Sequence, residues 1–443
     1  MNDKKNFSII IPAHKSEKDF SLLKKLKSKF PNTEIILSID SENELSLDQL
    51  SEINLNVKKM VKVANSTRGK SLNAGAAMAN NDYLWFLHID SNIDNIILSD
   101  LEKAKPNQLN YFKLAFDRKE NQLNANGANF RSKNFDLPFG DQSFLIKKDL
   151  FNLIGKFDET LKEGEDHKFV WNAKSLGVEI KEISKHIVSS ARKYENNSFW
   201  QTIKTLFKTV TQAKDFKQNR IKNIFCFFMK DPFSRDSKTR LRRTLNNNQL
   251  VDDFNMHCLK IIKANIDEIN SKDENKIVII NNSPNTNYLE KLELDHHSII
   301  NLNFEDVGQS MQATYDLCSE FTDNIVLVGS DIPELVTQNL NDAIRELKHY
   351  DSFFIPTNDN GFCCFSTKLK TLGHFFSRIN YKSENVIDEL TKNLYNFKKS
   401  DYNLIDVDTL NDLQNMYGNL SKSKTINKYQ RELINFIDKR KYS

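Results

Sequence analysis

Short apolar runs alternate with helical patterns along the first half of the chain. Strands are predicted for Phe7–Ile11, Glu34–Ile39, Val57–Val63, Tyr83–Ile89, Tyr111–Phe116 and Ser143–Ile146. Helices are predicted between them, over Asp19–Lys29, Gly69–Ala79, Lys148–Ile154 and Asp166–Leu176. Apolar strands separated by helices are typical of a mostly parallel sheet that is covered on both faces.

The same alternation begins again near Ile221. Predicted strands are Asn223–Met229, Lys276–Ile280, Ile299–Leu302, Asn324–Val328, Ser352–Ile355 and Phe362–Phe365. Predicted helices are Asn248–Asn265, Val307–Phe321 and one that begins at Ile332. The chain is therefore predicted to be α/β, with Rossmann-like, mostly parallel sheets in two tandem domains, residues 1–218 and 219–420, and a basic helix over residues 421–443.

Composition narrows the function classes. The 443 residues are 39% apolar and 28% charged, and the net charge is only +4, which argues against a dedicated nucleic-acid binder. No signal peptide is recognisable, and no apolar run reaches the 18 residues of a membrane span. The five cysteines lack metal-ligand spacing, so we expect buried free thiols and a cytoplasmic protein.

Candidate chemistry concentrates in residues 66–92. A basic turn at Arg68 is followed by a helix of small residues and by a strand that leads into His88-Ile89-Asp90. Ligands of open α/β sheets bind outside the carboxyl ends of the strands. A carboxylate there can hold a hard divalent cation, which neutralises a diphosphate. The stretch predicts a nucleotide-diphosphate site.

A second acidic group, Glu163-Gly164-Glu165-Asp166, opens the helix that ends before Gly177. Acidic residues in a first turn are favoured by the helix dipole, so simple capping explains Glu165 and Asp166 as well as catalysis does. From the residues alone, both interpretations stay open.

Several motifs follow one another within residues 5–215 in a recognisable order. They are Ile9-Ile10-Ile11-Pro12-Ala13, Arg68-Gly69-Lys70, Leu72-Asn73-Ala74-Gly75-Ala76-Ala77, Phe86-Leu87-His88-Ile89-Asp90, Phe139-Gly140-Asp141-Gln142, Glu165-Asp166 and Ser190-Ala191-Arg192. This series resembles family 2 glycosyltransferases of the GT-A fold, and within them the radical-SAM/selenodomain-associated transferases. The resemblance implies a nucleotide-sugar donor and an acceptor hydroxyl of unknown identity.

The resemblance also implies roles for individual residues. Donor contacts would come from Pro12, Ala13, Glu17, Asp40, Arg68, His88 and Asp90. Asp90 would bind Mg²⁺ or Mn²⁺ across the donor diphosphate, and Arg68 would pair with phosphate. Asp166, with Glu165 beside it, would be the general base of an inverting transfer. The acceptor would be met by Asp141, Gln142 and Arg192.

The chain also departs from that family's pattern. Its first loop reads His14-Lys15-Ser16-Glu17 where Asn-Glu-Glu is usual, and His88 replaces the usual first aspartate of the Asp-x-Asp motif. A Gln-x-x-Arg-Trp motif is absent, which argues against a processive polysaccharide synthase.

A different series of motifs covers residues 221–418. It comprises Phe228-Met229-Lys230-Asp231-Pro232, Lys238-Thr239-Arg240-Leu241, Gly308 with Met311, Gly329-Ser330-Asp331-Ile332-Pro333, Asp359-Asn360-Gly361-Phe362 and Asp406-Val407-Asp408-Thr409. This series resembles the DUF2064 family, a nucleotidyltransferase-like GT-A fold. The resemblance implies anion or metal contacts by Lys230, Lys238, Arg240, Asp331 and Asp359.

The second series is partly eroded. Arg235 stands where the family's phosphate loop has a glycine, which lets backbone N–H groups approach a phosphate. Ser310 replaces an arginine of the family pattern. We therefore expect a partly degenerate domain that binds a ligand or positions the first domain. Nucleotidyl transfer that supplies the donor is the alternative.

Two basic amphipathic helices are predicted, at Phe199–Lys222 and Ser421–Ser443. A surface that meets anionic lipid would make the protein peripheral at the membrane, with a lipid-linked acceptor. Helices that pack on their own domains explain the same pattern.

Three function classes thus remain. The first is a cytoplasmic, metal-dependent glycosyltransferase. The second is a protein whose main activity is nucleotidyl transfer, which would make the chain bifunctional if both domains are active. The third is a non-catalytic binding or scaffold protein, against which the joint presence of Asp90 and Glu165-Asp166 argues.

Overall fold

A computed structural model describes residues 5–43, 45–46, 59–118, 121–189, 198–302, 304 and 306–441, without the side chains of 198–206, 440 and 441. The chain divides into two compact units, Met1–Arg220 and Ile221–Ser443. Each unit is described below by itself.

The first unit is built on one seven-stranded sheet. Its strands are β1 (Phe7–Ala13), β2 (Glu34–Asp40), β3 (Lys59–Val63), β4 (Tyr83–Phe86), β5 (Gln108–Phe116), β6 (Phe144–Lys147) and β7 (Glu179–Ser189). The helices are α1 (Ser21–Lys29), α2 (Arg68–Met78), α3 (Leu98–Leu101), α4 (Gln122–Phe135), α5 (Lys148–Ile154), α6 (Glu165–Ser175) and α7 (Ser198–Phe216). A short 3₁₀ turn covers Gly140–Gln142.

The strands lie in the order β3-β2-β1-β4-β6-β5-β7. Pairings among β1, β2, β3 and β4 are parallel, whereas β6 runs antiparallel to both neighbours. Because β6 is reversed, the turn that precedes it lies at the same edge of the sheet as the segment that follows β4. This edge collects most of the predicted donor and acceptor residues.

The small-residue helix α2 lies very close to the central strand. A Cβ at Gly75 would stand 2.5 Å from Cγ2 of Ile10, so no larger residue fits without movement. Asn73 donates to the carbonyl of Phe157 at 2.8 Å and accepts from its N–H at 3.1 Å. The helix therefore fixes the loop that leads towards α6.

The second unit repeats this architecture. Its strands are β8 (Asn223–Met229), β9 (Asn275–Asn281), β10 (Ser298–Asn301), β11 (Asn324–Gly329), β12 (Ser352–Pro356), β13 (Phe362–Thr367) and β14 (Phe397–Lys399). The helices are α8 (Thr239–Leu245), α9 (Asn248–Asn270), α10 (Asn287–Lys291), α11 (Val307–Cys318), α12 (Thr337–Glu346), α13 (Val386–Thr391), α14 (Leu410–Lys422) and α15 (Lys428–Lys441).

The second sheet has the order β10-β9-β8-β11-β13-β12-β14, which corresponds strand by strand to the first. Its sixth strand, β13, is again antiparallel to both neighbours. The prediction of two tandem α/β domains with GT-A-like sheets is confirmed. All five cysteines lie in this unit, and all are buried with free thiols.

Some predicted elements change in extent. Strand β4 ends at Phe86 rather than Ile89, because residues 87–90 leave the sheet and Ser91 N–H donates to the His88 carbonyl at 3.1 Å. The helix expected from Ile332 begins only at Thr337, after a turn in which Leu335 N–H bonds to the Ile332 carbonyl.

Three elements of the first unit were not predicted, namely the single-turn helix α3, helix α4 and strand β7. Strand β7 is an edge strand that pairs with β5 and bridges to Asn92 at Val188, and its many charged side chains obscure an apolar pattern. Helix α4 leaves Leu123, Phe130 and Phe135 exposed, so its apolar residues do not mark a buried face.

The C-terminal basic helix has a structural explanation. Tyr429, Leu433, Phe436 and Ile437 of α15 pack with the apolar face of α9 in a core cluster of the second unit. This packing favours the interpretation in which the helix packs on its own domain.

Candidate functional site

Asp40 ends β2 next to the end of β1, where Pro12 and Ala13 lie. Its carboxylate accepts hydrogen bonds from Ser66 Oγ at 2.6 Å and from the Glu42 N–H at 2.9 Å. These two bonds hold the pKa of Asp40 below its usual range, so the side chain is a charged acceptor at neutral pH.

The first loop is fixed against this edge. Asn43 donates from its side-chain amide to the carbonyls of His14 and Lys15, each at 3.2 Å. Glu17 accepts from the N–H groups of Lys18 and Asp19 at 3.0 and 2.9 Å. The carboxylate of Glu17 is therefore used by its own turn.

His88 and Asp90 follow β4 in a turn and are both half-buried. Leu87 still donates to the Ile10 carbonyl at 3.0 Å, which holds the start of this turn against β1. His88 and Asp90 thus lie beyond the carboxyl end of the central strands, where ligands of open α/β sheets bind.

Arg68, Glu165 and Asp166 form an ionic cluster at the beginnings of two helices. Arg68 opens α2, and its Nε lies 2.9 Å from Glu165 Oε1 in an ion pair without hydrogen-bond geometry. Its Nη2 lies 3.5 Å from Asp166 Oδ2. Glu165 and Asp166 open α6, which begins after Gly164 in the left-handed region (φ 88°).

Asp166 is held from several sides. Its Oδ2 accepts from the Gly140 N–H at 2.6 Å, and its Oδ1 accepts from the His167 N–H at 2.9 Å. Burial raises the pKa of Asp166, but Arg68, His167 and the two N–H donors outweigh burial and lower it to about 2. Asp166 is therefore ionised in the ligand-free protein.

Glu165 differs from its neighbour. Burial raises the pKa of Glu165, the charge of Asp166 raises it further, and Arg68 only partly opposes them. Gly140 lies close to this cluster, because a Cβ there would stand 2.0 Å from Arg68 Nη2 and 3.0 Å from Asp166 Oδ2, so a larger residue would displace these two side chains.

The predicted acceptor residues differ in their exposure to a ligand. Asp141 is half-buried in the 3₁₀ turn, beside the N–H that binds Asp166. Gln142 is fully buried, and its Oε1 accepts from Ser132 Oγ at 2.6 Å and from the Phe139 N–H at 3.2 Å. Gln142 thus anchors the turn to α4. Arg192 lies outside the described residues.

A stacked group beside Asp166 was missed from the sequence. The Phe139 ring lies between His167, with ring centroids 3.4 Å apart, and Arg131, whose Cζ is 3.3 Å from the Phe139 centroid. Burial lowers the pKa of His167 to about 4, although Asp166 and a hydrogen bond with Gln212 of α7 oppose it. No spacing signal links these residues, because they come from four separate segments.

The second unit contains a cavity of about 420 Å³ at the corresponding sheet edge. Its lining includes Lys230, Lys238, Arg240, Asp331, Asp406 and Asp408. Lys238 Nζ lies 3.1 Å from Asp331, 3.1 Å from Asp406 and 3.2 Å from Asp408, and only 3% of its side chain is exposed.

This cluster alters two pKa values. Burial lowers the pKa of Lys238, but the three carboxylates outweigh burial and raise it well above the usual range. Burial raises the pKa of Asp406 to about 7, with Asp331 and Asp408 adding to burial and Lys238 opposing it. Asp406 and Asp408 flank the buried Val407, an alternation that brings both carboxylates to Lys238.

Arg235 and Asp359 lie apart from the cavity lining. Arg235 Nη1 pairs with Asp252 at 3.1 Å. Asp359 accepts from Thr357 Oγ1 at 2.5 Å and from the Gly361 N–H at 3.1 Å, within its own turn. Of the five predicted second-domain residues, four therefore meet in the cavity and Asp359 does not.

The described residues contain no group of three or more His, Cys, Asp or Glu side chains arranged to hold a metal ion. Among the helices described, none is long and apolar enough to cross a membrane.

The sheet order and the acids at its carboxyl edge define a protein with two GT-A-like units. Residues 8–124 match the family model for glycosyl transferase family 2. Residues 268–383 match DUF2064, described as an uncharacterized protein conserved in bacteria. The resemblance to family 2 glycosyltransferases and the resemblance to the DUF2064 family are thus confirmed over these two stretches of the chain.

Solved structures with some similarity include a putative nucleotide-diphospho-sugar transferase from Desulfovibrio desulfuricans. It is 19% identical over 50% of this chain and 96% of its own, with a TM-score of 0.42. The 1–349 fragment of TarS from S. aureus is 16% identical over 46% of this chain and 65% of its own, with a TM-score of 0.34. The structure of the same fragment in complex with UDP is 17% identical over the same shares of both chains, with a TM-score of 0.34. Among curated proteins, no sequence matches.

Proposed function

We propose that the first unit is a metal-dependent, inverting glycosyltransferase that moves a sugar from a nucleotide-sugar donor to an acceptor hydroxyl. The observation that carries this proposal is the ionised Asp166, held by Arg68 and by the Gly140 N–H in the turn that precedes Asp141. A charged carboxylate beside such a turn suits proton removal from an incoming hydroxyl.

The donor set suits a divalent cation. Mg²⁺ is commonly bound by one or two carboxylates together with substrate phosphates and water, so one aspartate at a strand end suffices. Asp90 is that carboxylate, and His88 lies two residues before it in the same turn. A cation bound there would offset negative charge on the departing diphosphate.

Arg68 links donor binding to the strength of the base. In the ligand-free protein its guanidinium neutralises Glu165 and Asp166. A donor diphosphate competes for the same guanidinium, because arginine binds phosphate in a bidentate manner. Once Arg68 turns to the phosphate, the pKa of Asp166 rises from about 2, and the carboxylate becomes a better proton acceptor.

The test is binding and slow hydrolysis of UDP-, GDP- and dTDP-sugars with Mn²⁺ or Mg²⁺. The Asp90→Ala variant is compared with Asp94→Ala, which removes a nearby exposed acid that pairs with Lys25. We expect metal-dependent binding that Asp90→Ala abolishes and Asp94→Ala retains. A folded, metal-supplied protein that binds none of these donors would favour the non-catalytic binding protein.

For the second unit we propose a ligand that carries phosphate, with nucleotidyl transfer as the specific candidate. The cavity with Lys230, Lys238 and Arg240 favours such a ligand. Arg235 is no obstacle in this respect, since its side chain pairs with Asp252 outside the cavity lining. An active second unit would make the protein bifunctional.

This second proposal is tested on the full chain with nucleoside triphosphates and sugar phosphates, by following pyrophosphate release. Activity that Asp331→Ala removes and Arg235→Gly leaves within a few-fold is expected. Activity that appears only in Arg235→Gly would mean that the natural domain has lost nucleotidyl transfer. Release of no pyrophosphate by either protein would count against the activity altogether.

A further inference from the structure

Exposed apolar side chains gather on two helices of the first unit. The described residues of this unit expose seven large apolar side chains, and five of them lie on α4 or α7: Leu123, Phe130, Phe135, Phe207 and Val210. Exposed apolar residues normally occur singly, so a concentration on two elements marks an interaction surface. We refer to these five side chains as the apolar collar.

The collar flanks the turn that carries the base. On one side, Arg131 of α4 stacks on Phe139, and Ser132 bonds to Gln142. On the other side, Gln212 of α7 bonds to His167, and Lys208 of α7 pairs with Glu163. Both helices therefore contact the segments on either side of Asp166.

The charge around the collar is positive. Helix α4 contains Arg131 and Lys133 and no acidic residue. Helix α7 exposes Lys214 at its end, next to its one acid, Asp215, and Lys217 follows. On α6, Lys174 lies 5.6 Å from the Trp171 ring and donates to the Phe135 carbonyl at 2.6 Å, and Asp136 lies 4.0 Å from its Nζ, so the basic groups outnumber the acidic ones without excluding them.

Aromatic and aliphatic side chains bordered by lysine and arginine are typical of helices that lie in a membrane interface. The apolar side chains enter the boundary of the acyl chains, while the basic groups remain with anionic headgroups. A second copy of this chain would bring like charges together at the same surface. The charge pattern therefore favours an anionic bilayer.

We propose that the apolar collar on α4 and α7 docks the first unit on an anionic membrane surface, so that Asp166 meets acceptor hydroxyls at that surface. This proposal rests on the proposed glycosyltransfer for its acceptor, but the docking itself requires no catalysis. For the predicted helix Phe199–Lys222, the proposal joins the two interpretations given above. Helix α7 packs on α6 within its own domain, and it still exposes Phe207 and Val210 to a membrane.

The test is co-sedimentation of the full chain with vesicles of phosphatidylcholine alone or mixed with phosphatidylglycerol. The variants are Leu123→Asp with Phe130→Asp, and Phe207→Asp with Val210→Asp. The control is Ile97→Asp, since Ile97 is 55% exposed in the same unit but lies outside the collar. Far-UV circular dichroism and melting confirm that each variant is folded.

We expect wild type to sediment with anionic vesicles and each double variant to lose about tenfold or more in partitioning, because a buried large apolar side chain contributes that much. Ile97→Asp should partition as wild type does. Absence of wild-type binding, or equal losses in Ile97→Asp, would overturn the proposal. So would a dimer of wild type that the double variants convert to monomers without any vesicle binding.

The two proposals fail separately. Asp90→Ala should sediment with vesicles as wild type does, and the double variants should bind nucleotide sugar as wild type does. Vesicle binding without donor binding would reject the transferase and retain the docking surface. Donor binding without vesicle binding would reject the docking surface and retain the transferase.

Discussion

The two units share one strand order, yet they balance charge at the carboxyl edges of their sheets differently. In the first, one arginine faces two acids, and 34% of its side chain is exposed. In the second, one lysine faces three aspartates, and only 3% of its side chain is exposed. The shared strand order thus places the charged groups at the same edge of each sheet. The two sites differ in how accessible the basic side chain is to a ligand.

That difference bears on what each unit can do. Under the proposed function Arg68 turns from its acids to a phosphate, and 34% of its side chain is exposed to a ligand. Lys238 is held by three carboxylates and is almost fully buried, so we expect it to keep its acids when a ligand binds. The comparison can be tested by removing the key group of each unit.

The largest expected effect is on catalysis in the first unit. In Asp166→Asn the amide cannot take a proton, so we expect turnover of the donor to fall by about 10²–10⁴, the usual contribution of a general base. Donor affinity should hold or rise, because the neutral amide no longer competes with the diphosphate for Arg68. Turnover and titration of the donor are the measurements, and a loss of affinity equal to the loss of turnover would contradict the assignment.

The second unit should respond in its stability. Lys238→Met leaves three neighbouring carboxylates without their cation, and because 33–55% of each of these side chains is exposed, we expect a cost of about 1–3 kcal/mol. The midpoint of chemical unfolding should fall accordingly. Arg240→Met is the control, because 74% of the Arg240 side chain is exposed and its nearest acid is 3.9 Å away. Equal effects of both variants would be inconsistent with a cluster centred on Lys238.

The pH dependence of stability should have opposite signs in the two units. The pKa of Asp166 is lowered to about 2, so its stabilisation is present above the unfolded pKa near 3.8 and is lost as the pH falls towards 2. The pKa of Asp406 is raised to about 7, so its contribution is greatest below 3.8 and is lost as the pH rises to 7.

Unfolding free energies measured from about pH 2 to 8 test this contrast. Asp406→Asn should flatten the decline between pH 4 and 7, whereas Asp166→Asn should flatten the loss below pH 4. A decline between pH 4 and 7 that persists in Asp406→Asn would assign it to another group.

The smallest expected effect is on stability, and it compares a closely packed glycine of the first unit with a glycine on its surface. Gly75→Ala places a methyl group 2.5 Å from Ile10, so we expect a loss of about 1–3 kcal/mol from overpacking. Gly127→Ala in α4 meets no atom within 4 Å and should stabilise the helix by about 0.5–1 kcal/mol. Thermal unfolding compares the two, and equal shifts would show that α2 can move away from β1.

The positions of the candidate acids were the most predictable part of the site. Periodicity identified the central strands, and the motifs placed Asp40 and Asp90 at strand ends and Asp166 at the beginning of a helix. The sequence could not predict the pairing of Arg68 with both Glu165 and Asp166, because that contact joins the beginnings of two helices about a hundred residues apart. Nor could the sequence show that the Gln142 side chain is buried. A glutamine suits a buried hydrogen-bonding position and a contact with the acceptor equally well.

Edges and exposed helices were the least predictable part of the fold. Strand β7 has one neighbouring strand and carries charged residues on its open side, so the apolar signal of a buried strand is weak. Helix α4 has its apolar residues on the surface, where no core imposes their spacing. Interaction surfaces are hidden from pattern analysis for the same reason.

The reversed strand β6 has a consequence for how specificity can diverge. The residues proposed to bind the donor lie at or after the ends of β2 and β4, whereas the turn with Asp141 precedes β6, yet both groups reach one edge because β6 is antiparallel. If that turn meets the acceptor as proposed, substitutions in it would alter the choice of acceptor without changing any residue that follows a parallel strand. Related enzymes would then exchange acceptors over generations while they keep the same activated sugar.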